Sequence, residues 1–325
     1  MENRVAIIGA GVSGLTCGCL LAENGLQTTI FTDQIGLQTT SGAAGAIWFP
    51  YDVEPFDLAL TWALESYHVF EQLCRQGETG ISMIELRQFC RAGTIPVPEW
   101  ATELGASAIV RQIPPPKPDD PPTNYPPTFA DGFSIRVPLI DTTIYLDYLA
   151  ARFRTAGGKI KTNCRFETMA EVPAQFSLVV NCAGIGARTL VPDSELEPHR
   201  GQVVLIAKLN LSSAVVCDDA PLMYAIPRAN DCLLGGTNEV SDDLQPDPAV
   251  TTAIVKECSR VLGIEPPDVL AERVGLRPFR RTGVRLESER SGQRVVIHNY
   301  GHGGAGFTLS WGCAQRVLKL VKESH

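Results

Sequence analysis

Residues Arg4–Ala10 (RVAIIGA) form an apolar, β-branched run without polar alternation, which predicts a strand buried on both faces of a parallel sheet. A glycine turn follows. From Ser13 the spacing of Leu15, Leu20 and Leu21 predicts a helix that ends near Asn24-Gly25, and Gln27–Asp33 (QTTIFTD) predicts a second strand. Strand, helix and strand together make a βαβ unit.

Further along, Phe56, Leu60, Ala63, Leu64, Tyr67, Phe70 and Leu73 recur at helical spacing, predicting a long amphipathic helix over Glu54–Gln76 closed by Gly77. Between Pro114 and Pro127 eight of fourteen residues are proline, a density that predicts a stiff extended connection. GFSIRVPL then alternates like a strand, and Asp141 is placed to cap a helix running to Gly157. Ser177–Gly184 (SLVVNCAG), Gln202–Leu209, Cys232–Thr237 and Arg294–Tyr300 read as further strands. Helices are expected near Val250–Leu262 and after Gly306. The strands of the two halves mix parallel and antiparallel character, so a second domain built from interleaved segments is expected.

Composition narrows the class. A chain of 325 residues suggests about two domains. With 44% hydrophobic and 20% charged residues it is neither collagen-like, disordered nor coiled coil. The 28 basic and 36 acidic residues leave a net charge of -8 and no basic patch, which speaks against nucleic-acid binding. Ten cysteines without a C-x-x-C pair read as reduced thiols of a cytoplasmic protein, with no metal site. The uncharged run Val5–Ala22 is interrupted by four glycines and lacks a basic leader, so neither a targeting segment nor a membrane span is expected.

The chemistry begins at GAGVSG. Gly9, Gly11 and Gly14 stand in G-x-G-x-x-G spacing between a strand and a helix, where the helix N-terminus, with Val12 and Ser13, would face a pyrophosphate. Asp33 ends the second strand, where a carboxylate can accept from an adenosine ribose. This pattern indicates a dinucleotide but leaves NAD and FAD open. A second glycine-rich strand-to-helix turn at Gly301, Gly303, Gly304 and Gly306 would let the backbone approach another part of one extended ligand, and its helix dipole would favour negative charge there. That points to FAD, with a structural hinge as the alternative.

These residues carry a family resemblance. The chain resembles the D-amino acid oxidase family of FAD enzymes from Arg4 to about Leu320, most specifically in I-H-N-Y-G-H-G-G followed after seven residues by G-C-A. TTSGAAGAIWFPY, VVNCAG, RGQVV and RVGLRPFRRTGVRLE resemble further family blocks in family order. The resemblance implies a Rossmann-like FAD-binding domain (1–50, 142–199 and 291–325) and an interleaved α+β substrate domain on a mixed, largely antiparallel sheet (51–141 and 200–290). It further implies that Thr39, Thr40, Ala43, Ala44 and Gly45 line the flavin, with Phe166, Ala183 and Gly184 holding its other parts and Gly303, Gly306, Phe307 and Thr308 facing its ring edge. Gly304 would offer its carbonyl to the substrate amine. Arg285, in VRLE, would grip the substrate carboxylate together with Tyr224, with Arg281 or Arg228 next in line.

The implied activity is oxidative deamination of D-amino acids to 2-oxo acids, ammonia and hydrogen peroxide, by hydride transfer to flavin N5 and reoxidation by dioxygen. His302 is left out of the chemistry, and Cys313 is expected to form no covalent flavin link. Departures from the family bear on specificity. The stretch Ala214–Tyr224 is too short for the active-site lid of vertebrate relatives. Phe49 favours apolar side chains, Arg228 could attract an acidic one, and Asn238 stands where D-aspartate oxidases carry arginine. The expectation is a preference for neutral D-amino acids. A D-aspartate or glycine oxidase, or a non-catalytic flavin- or NAD-binding module, is the alternative. The terminal Ser324-His325 lacks a peroxisomal address, and a homodimer is left open.

Overall fold

A computed structural model describes residues 4–51, 53–109 and 129–324. The proline-rich stretch Pro114–Pro127 lies outside the described residues.

Fifteen strands occur among the described residues: β1 (Arg4–Ala10), β2 (Gln27–Ile35), β3 (Ile81–Cys90), β4 (Ser107–Ala108), β5 (Asp131–Ile140), β6 (Lys159–Lys161), β7 (Leu178–Asn181), β8 (Leu196–Ala207), β9 (Ser213–Cys217), β10 (Met223–Pro227), β11 (Asp231–Gly235), β12 (Glu239–Val240), β13 (Val269–Arg280), β14 (Ser288–Ser291) and β15 (Arg294–His298). The longer helices are α1 (Val12–Glu23), α2 (Phe56–Gln76), α3 (Thr142–Thr155), α4 (Pro248–Leu262) and α5 (Gly306–Glu323).

The strands form two sheets. The first has the order β14-β15-β7-β1-β2-β6 and is parallel except for β14. The second has the order β12-β8-β11-β10-β9-β3-β5-β4, with β13 also on β8, and is antiparallel except where β3 runs parallel to β9. The chain alternates between sheets, so the expected interleaving is present. β8 runs unbroken across positions 199 and 200, where a domain boundary was expected.

In β1, Val5 and Ile7 face the helices while Ala6 and Ile8 pack with Phe31, Val179 and Val296 on the other side, which is why the run is apolar at every position. α1 then lies against α3 and α5. The approach is tight. A Cβ on Gly14 would stand 1.9 Å from the Gly9 carbonyl oxygen, and one on Gly9 would stand 2.4 Å from the Cys182 carbonyl oxygen. Gly14 therefore lets helix and strand meet, and Gly9 lets the turn pass over the end of β7.

α2 buries Ala59, Ala63, Ser66, Tyr67, Phe70 and Leu73 along one stripe. It begins at Phe56 and not at Glu54 because Pro55 disfavours helical backbone in the residue before it. α3 starts as expected, with Asp141 Oδ1 accepting from Thr143 N at 3.0 Å. α4 opens on the Asp247 side chain, which accepts from Ala249 N at 2.8 Å, and ends on left-handed Gly263. It covers one face of the second sheet, where Ile254, Val255, Cys258 and Val261 pack on Val204, Ile206, Val215, Met223, Ala225 and Leu234. The alternate residues of those strands face inward, toward the first sheet.

Gly14→Val is expected to disrupt the α1–β1 contact, since backbone cannot yield as a flexible side chain can. A loss of roughly 3 kcal/mol or more in unfolding free energy, read from denaturant titration, is the expected outcome. A variant of wild-type stability would show that α1 can sit further from β1.

Candidate active site

Between the two sheets lies a cavity of about 560 Å³. At one end it is bounded by the turn after β1, where Gly9, Gly11, Val12 and Ser13 line it, and by Asp33 at the end of β2. Val12 N donates to Ser41 Oγ at 3.0 Å, which ties the helix start to the short helical turn Thr40–Ala43. Thr39, Thr40, Ala43, Ala44 and Gly45 line the same cavity, as do Phe166, Ala183 and Gly184. At the other end Gly303, Gly304, Gly306, Phe307 and Thr308 bring the start of α5 to the wall. Thr308 Oγ1 accepts from Phe49 N at 3.2 Å and donates to Phe49 O at 3.0 Å, so α5 also sets the Phe49 ring, which lines the cavity and meets Trp100 edge-on at 5.7 Å. Gly14 does not reach the cavity; its part is to pack α1 against β1.

The residues around this space suit a dinucleotide. The first-turn N–H groups of α1 beyond Val12 are placed to meet an anion, the Asp33 carboxylate can accept from ribose hydroxyls, and the cavity runs from one sheet to the other, which an extended ligand requires.

Along the inward face of the second sheet one cross-strand row runs Gln88 on β3, Val216 on β9, Tyr224 on β10, Gly235 on β11, Val203 on β8 and Arg273 on β13. Two residues further along β13 stand Gly275, opposite Gly201, and then Arg277. Arg277 and Tyr224 both line the cavity. The space they occupy exists because neighbours lack side chains. A Cβ on Gly201 would stand 2.4 Å from Arg277 Nη2, and one on Gly235 would stand 2.1 Å from the Tyr224 ring. Burial raises the Tyr224 phenol pKa and the Arg277 charge pulls the other way, so the phenol stays a neutral donor. Arg277 Nη1 donates to Thr237 O at 2.9 Å and approaches Asn238 Oδ1 at 3.5 Å, while Asn238 Nδ2 lies 3.4 Å from Tyr51 Oη. Tyr51 packs over Gly304, where a Cβ would fall 2.8 Å from its ring.

Arg285, expected as the carboxylate anchor, does not line this cavity. Beyond Arg280 the chain leaves β13, and Arg285 pairs with Tyr300 instead. Its guanidinium donates to Glu287 Oε1 at 2.8 Å, Tyr300 Oη at 3.0 Å and Glu289 Oε2 at 2.8 Å. Burial opposes its charge, but these partners outweigh burial and raise its pKa. All its donor edges are committed to structure. The two residues held in reserve are elsewhere as well. Arg228 is buried on Asp231, at 2.6 and 2.7 Å, and exposed Arg281 meets Glu197 at 2.7 Å. Arg228 therefore attracts no acidic side chain in the cavity. Arg277 sits in the same arginine-rich block, and its period-two spacing from Arg273 and Gly275 was the available signal. What hid it was that Arg285 lies in an equally family-like stretch.

His302 lines the cavity next to Gly303, buried, with Nε2 3.0 Å from Asn299 Oδ1. That oxygen only accepts, so Nε2 carries the proton. Burial lowers its pKa to about 4, so the ring is neutral and held, with no proton to give at neutral pH. The segment between β9 and β10 is a five-residue turn pinned by Arg91, whose N–H donates to Asp219 Oδ2 at 2.6 Å and whose guanidinium donates to the Pro221 carbonyl. No lid can extend from so short a turn.

Comparison with known proteins agrees with this geometry. The family model described as FAD dependent oxidoreductase (DAO) matches residues 4–320. A D-amino-acid oxidase of Streptomyces coelicolor is 39% identical over 98% of this chain and 97% of its own length. The D-aspartate oxidase of Homo sapiens is 32% identical over 98% and 95%. Among solved structures, glycine oxidase from Geobacillus kaustophilus superposes with a TM-score of 0.80 at 18% identity, covering 98% of this chain and 95% of that one, which shows a shared fold.

The neutral, buried His302 makes stability pH-dependent. Between pH 6.5 and 4 the unfolded chain takes up a proton that the folded imidazole does not, so the contribution is whole above about 6.5 and is lost as pH falls toward 4, by roughly 3 kcal/mol. Unfolding free energies measured from pH 4 to 7 should rise less steeply in His302→Gln than in the parent. Equal slopes would mean that His302 protonates freely.

Proposed function

The chain belongs to the DAO family of FAD-dependent oxidoreductases, and from that premise we propose that it oxidatively deaminates neutral D-amino acids to 2-oxo acids and ammonia, with dioxygen as the final acceptor. One observation carries the reading: a guanidinium and a phenol, Arg277 and Tyr224, share the cavity wall over two glycines, facing the approach to α5. Bound along Gly9, Gly11 and Asp33 at one end and Gly303, Gly306 and Thr308 at the other, FAD would supply a hydride acceptor that dioxygen can reoxidise to give hydrogen peroxide.

The protein's part is to bind and orient. Arg277 takes the substrate carboxylate through its planar fork, with the Tyr224 hydroxyl donating to the same group. The Gly304 carbonyl accepts from the substrate amine. With carboxylate and amine held, only one enantiomer presents its α-hydrogen to the cofactor side. Phe49, Leu86, Val216 and Ile226 give this wall an apolar stretch, which suits neutral side chains. Asn238, beside Arg277, provides no second cation for an acidic one. No side-chain acid or base is assigned, in keeping with neutral His302. All ten cysteines are free, which supports a reducing compartment such as the cytoplasm. Among the described residues no helix is long and apolar enough to cross a membrane.

Arg277→Ala should lower kcat/KM for D-alanine by a hundred- to several-thousandfold, since an unpartnered carboxylate in a closed site costs roughly 3 to 5 kcal/mol. Arg277→Lys should recover only part, because an ammonium cannot reproduce the two-bond fork. FAD content should stay near that of the parent in both. Arg285→Gln should reduce thermal stability while the rate of flavin reduction changes less than about tenfold. Anaerobic reduction with D-alanine and L-alanine separates these outcomes. Wild-type kinetics in Arg277→Ala, or reduction by L-alanine alone, would overturn the reading.

A further inference from the structure

The cofactor side of the cavity and the substrate anchor belong to different parts of the fold, and β13 touches both. Thr39, Thr40, Ala43, Ala44 and Gly45 line the cavity in one turn, which Ser41 ties to the start of α1. β13, the strand of Arg277, runs alongside that turn. Thr40 Oγ1 donates to Leu276 O at 3.3 Å, and a Cβ on Gly275 would stand 3.2 Å from the Ala43 Cβ. Arg273 Nη1 donates to Gly42 O at 3.0 Å, and Thr142 Oγ1, at the start of α3, reaches the same carbonyl at 3.4 Å. Gly42, Arg273 and Thr142 do not line the cavity, so this tie lies behind its wall.

Both partners in the tie are stiff. A Cβ on Gly42 would stand 2.4 Å from Leu37 Cα, so the turn is folded tightly on the residues before it, and Gly42 N donates to Thr39 O at 2.9 Å. Holding Gly42 therefore holds the whole turn. On the other side, β13 pairs with β8 without a break in register from Ala271 to Arg280. Arg273 and Arg277 share one face of that strand, roughly 13 Å apart at 3.3 Å per residue. For stability alone Arg273 is poorly placed. It is half-buried and makes no ion pair among the described residues. Burial, together with the Arg228 charge, lowers its pKa against smaller pulls from Asp231 and Asp141.

We propose that Arg273 is a positioning residue: by clamping Gly42 it holds the cofactor-lining turn at a fixed distance from Arg277, and so sets the separation of the hydride acceptor from the substrate that Arg277 anchors. This rests on the oxidase reading above and deepens it. Arg273 touches neither the substrate nor the reacting atoms and acts through the turn alone. The leverage is large, because hydride transfer needs the reacting atoms about 3 to 3.5 Å apart and a misplacement of about 1 Å costs on the order of a hundredfold.

The test uses FAD-loaded Arg273→Met, which keeps an apolar stem and removes the donor. Anaerobic flavin reduction at saturating D-alanine is expected to slow by about ten- to a hundredfold. The D-alanine concentration giving half the maximal rate should change less than about threefold, because Arg277 and Tyr224 are untouched. A residue that only added stability would lower FAD content and melting temperature and leave the loaded fraction at the parent rate. Arg273→Lys should return to within about threefold of the parent, since a single N–H reaches Gly42 and no two-bond fork is needed. Hydrogen exchange gives a readout independent of turnover. In Arg273→Met the amides of 39–45 should exchange at least about threefold faster than in the parent, with those of β1 and β8 unchanged. Should Arg273→Met fail to fold or to load, Thr142→Val removes the other donor to Gly42 O and is expected to slow reduction by about two- to fivefold.

Reduction at the parent rate in FAD-loaded Arg273→Met, or in Thr142→Val where that variant stands in for it, would overturn the clamp while leaving the oxidase reading in place. So would a loss carried entirely by D-alanine affinity, or an equal loss in Arg273→Lys and Arg273→Met. A parent protein whose bound flavin no D-amino acid reduces would overturn the oxidase reading and this role of Arg273 with it.

Discussion

The carbonyl oxygens of Gly9 and Cys182 sit where side chains on Gly14 and Gly9 would otherwise stand, at 1.9 and 2.4 Å from the missing Cβ atoms. Backbone here packs on backbone, and the position of α1 follows from it. Once α1 lies that close to β1 and β7, its N-terminus points into the space beyond the strand ends, and its apolar sides receive α3 and α5. α5 starts at Gly306 and carries Phe307 and Thr308 into the same space, where Thr308 fixes Phe49. Much of the cavity wall is thus set by one helix-to-strand distance.

The second sheet solves a different problem: it must present charge to a mostly apolar cavity without leaving that charge unsupported. Arg277 does so with a carbonyl, that of Thr237, on one donor edge and a glycine beneath, leaving the guanidinium facing the cavity. Arg285 is the counterexample within the same block. It is wrapped by Tyr300, Glu287 and Glu289, and the network continues through Asp193, which accepts from Tyr300 Oη at 2.7 Å and from Arg280 Nε at 2.9 Å. Two arginines eight positions apart therefore differ in kind: one has its charge neutralised locally, the other is available to a ligand carboxylate. Partners made the distinction, and residue type did not.

Burial has a similar effect on the groups nearest the reaction space. It holds His302 neutral and Tyr224 protonated, so the cavity contains positioned donors and carbonyls with few groups that exchange protons near neutrality. Such a wall suits chemistry in which the cofactor accepts the hydride and the protein orients the donor.

Local pattern determined a good deal. The apolar run of β1, the glycine spacing after it, Asp33 at the end of β2, the stripe of α2, the Asp141 cap and the glycine turn before α5 all depend on neighbours within a few residues, and the structure places them as their spacing predicts. Most residues expected to line a cofactor belong to these turns and do line the cavity. β3 and β13 were not legible in the same way. Their inward residues Gln88 and Arg277 are polar where they face the cavity, so the hydrophobic alternation that marks a strand is broken where the site requires it. The choice between Arg277 and Arg285 was beyond local pattern as well. It depends on Gly201, far away in the chain, leaving room beside one, and on Tyr300 and Glu289 closing around the other. Charge compensation is a property of three-dimensional neighbours, and only the folded chain assigns them.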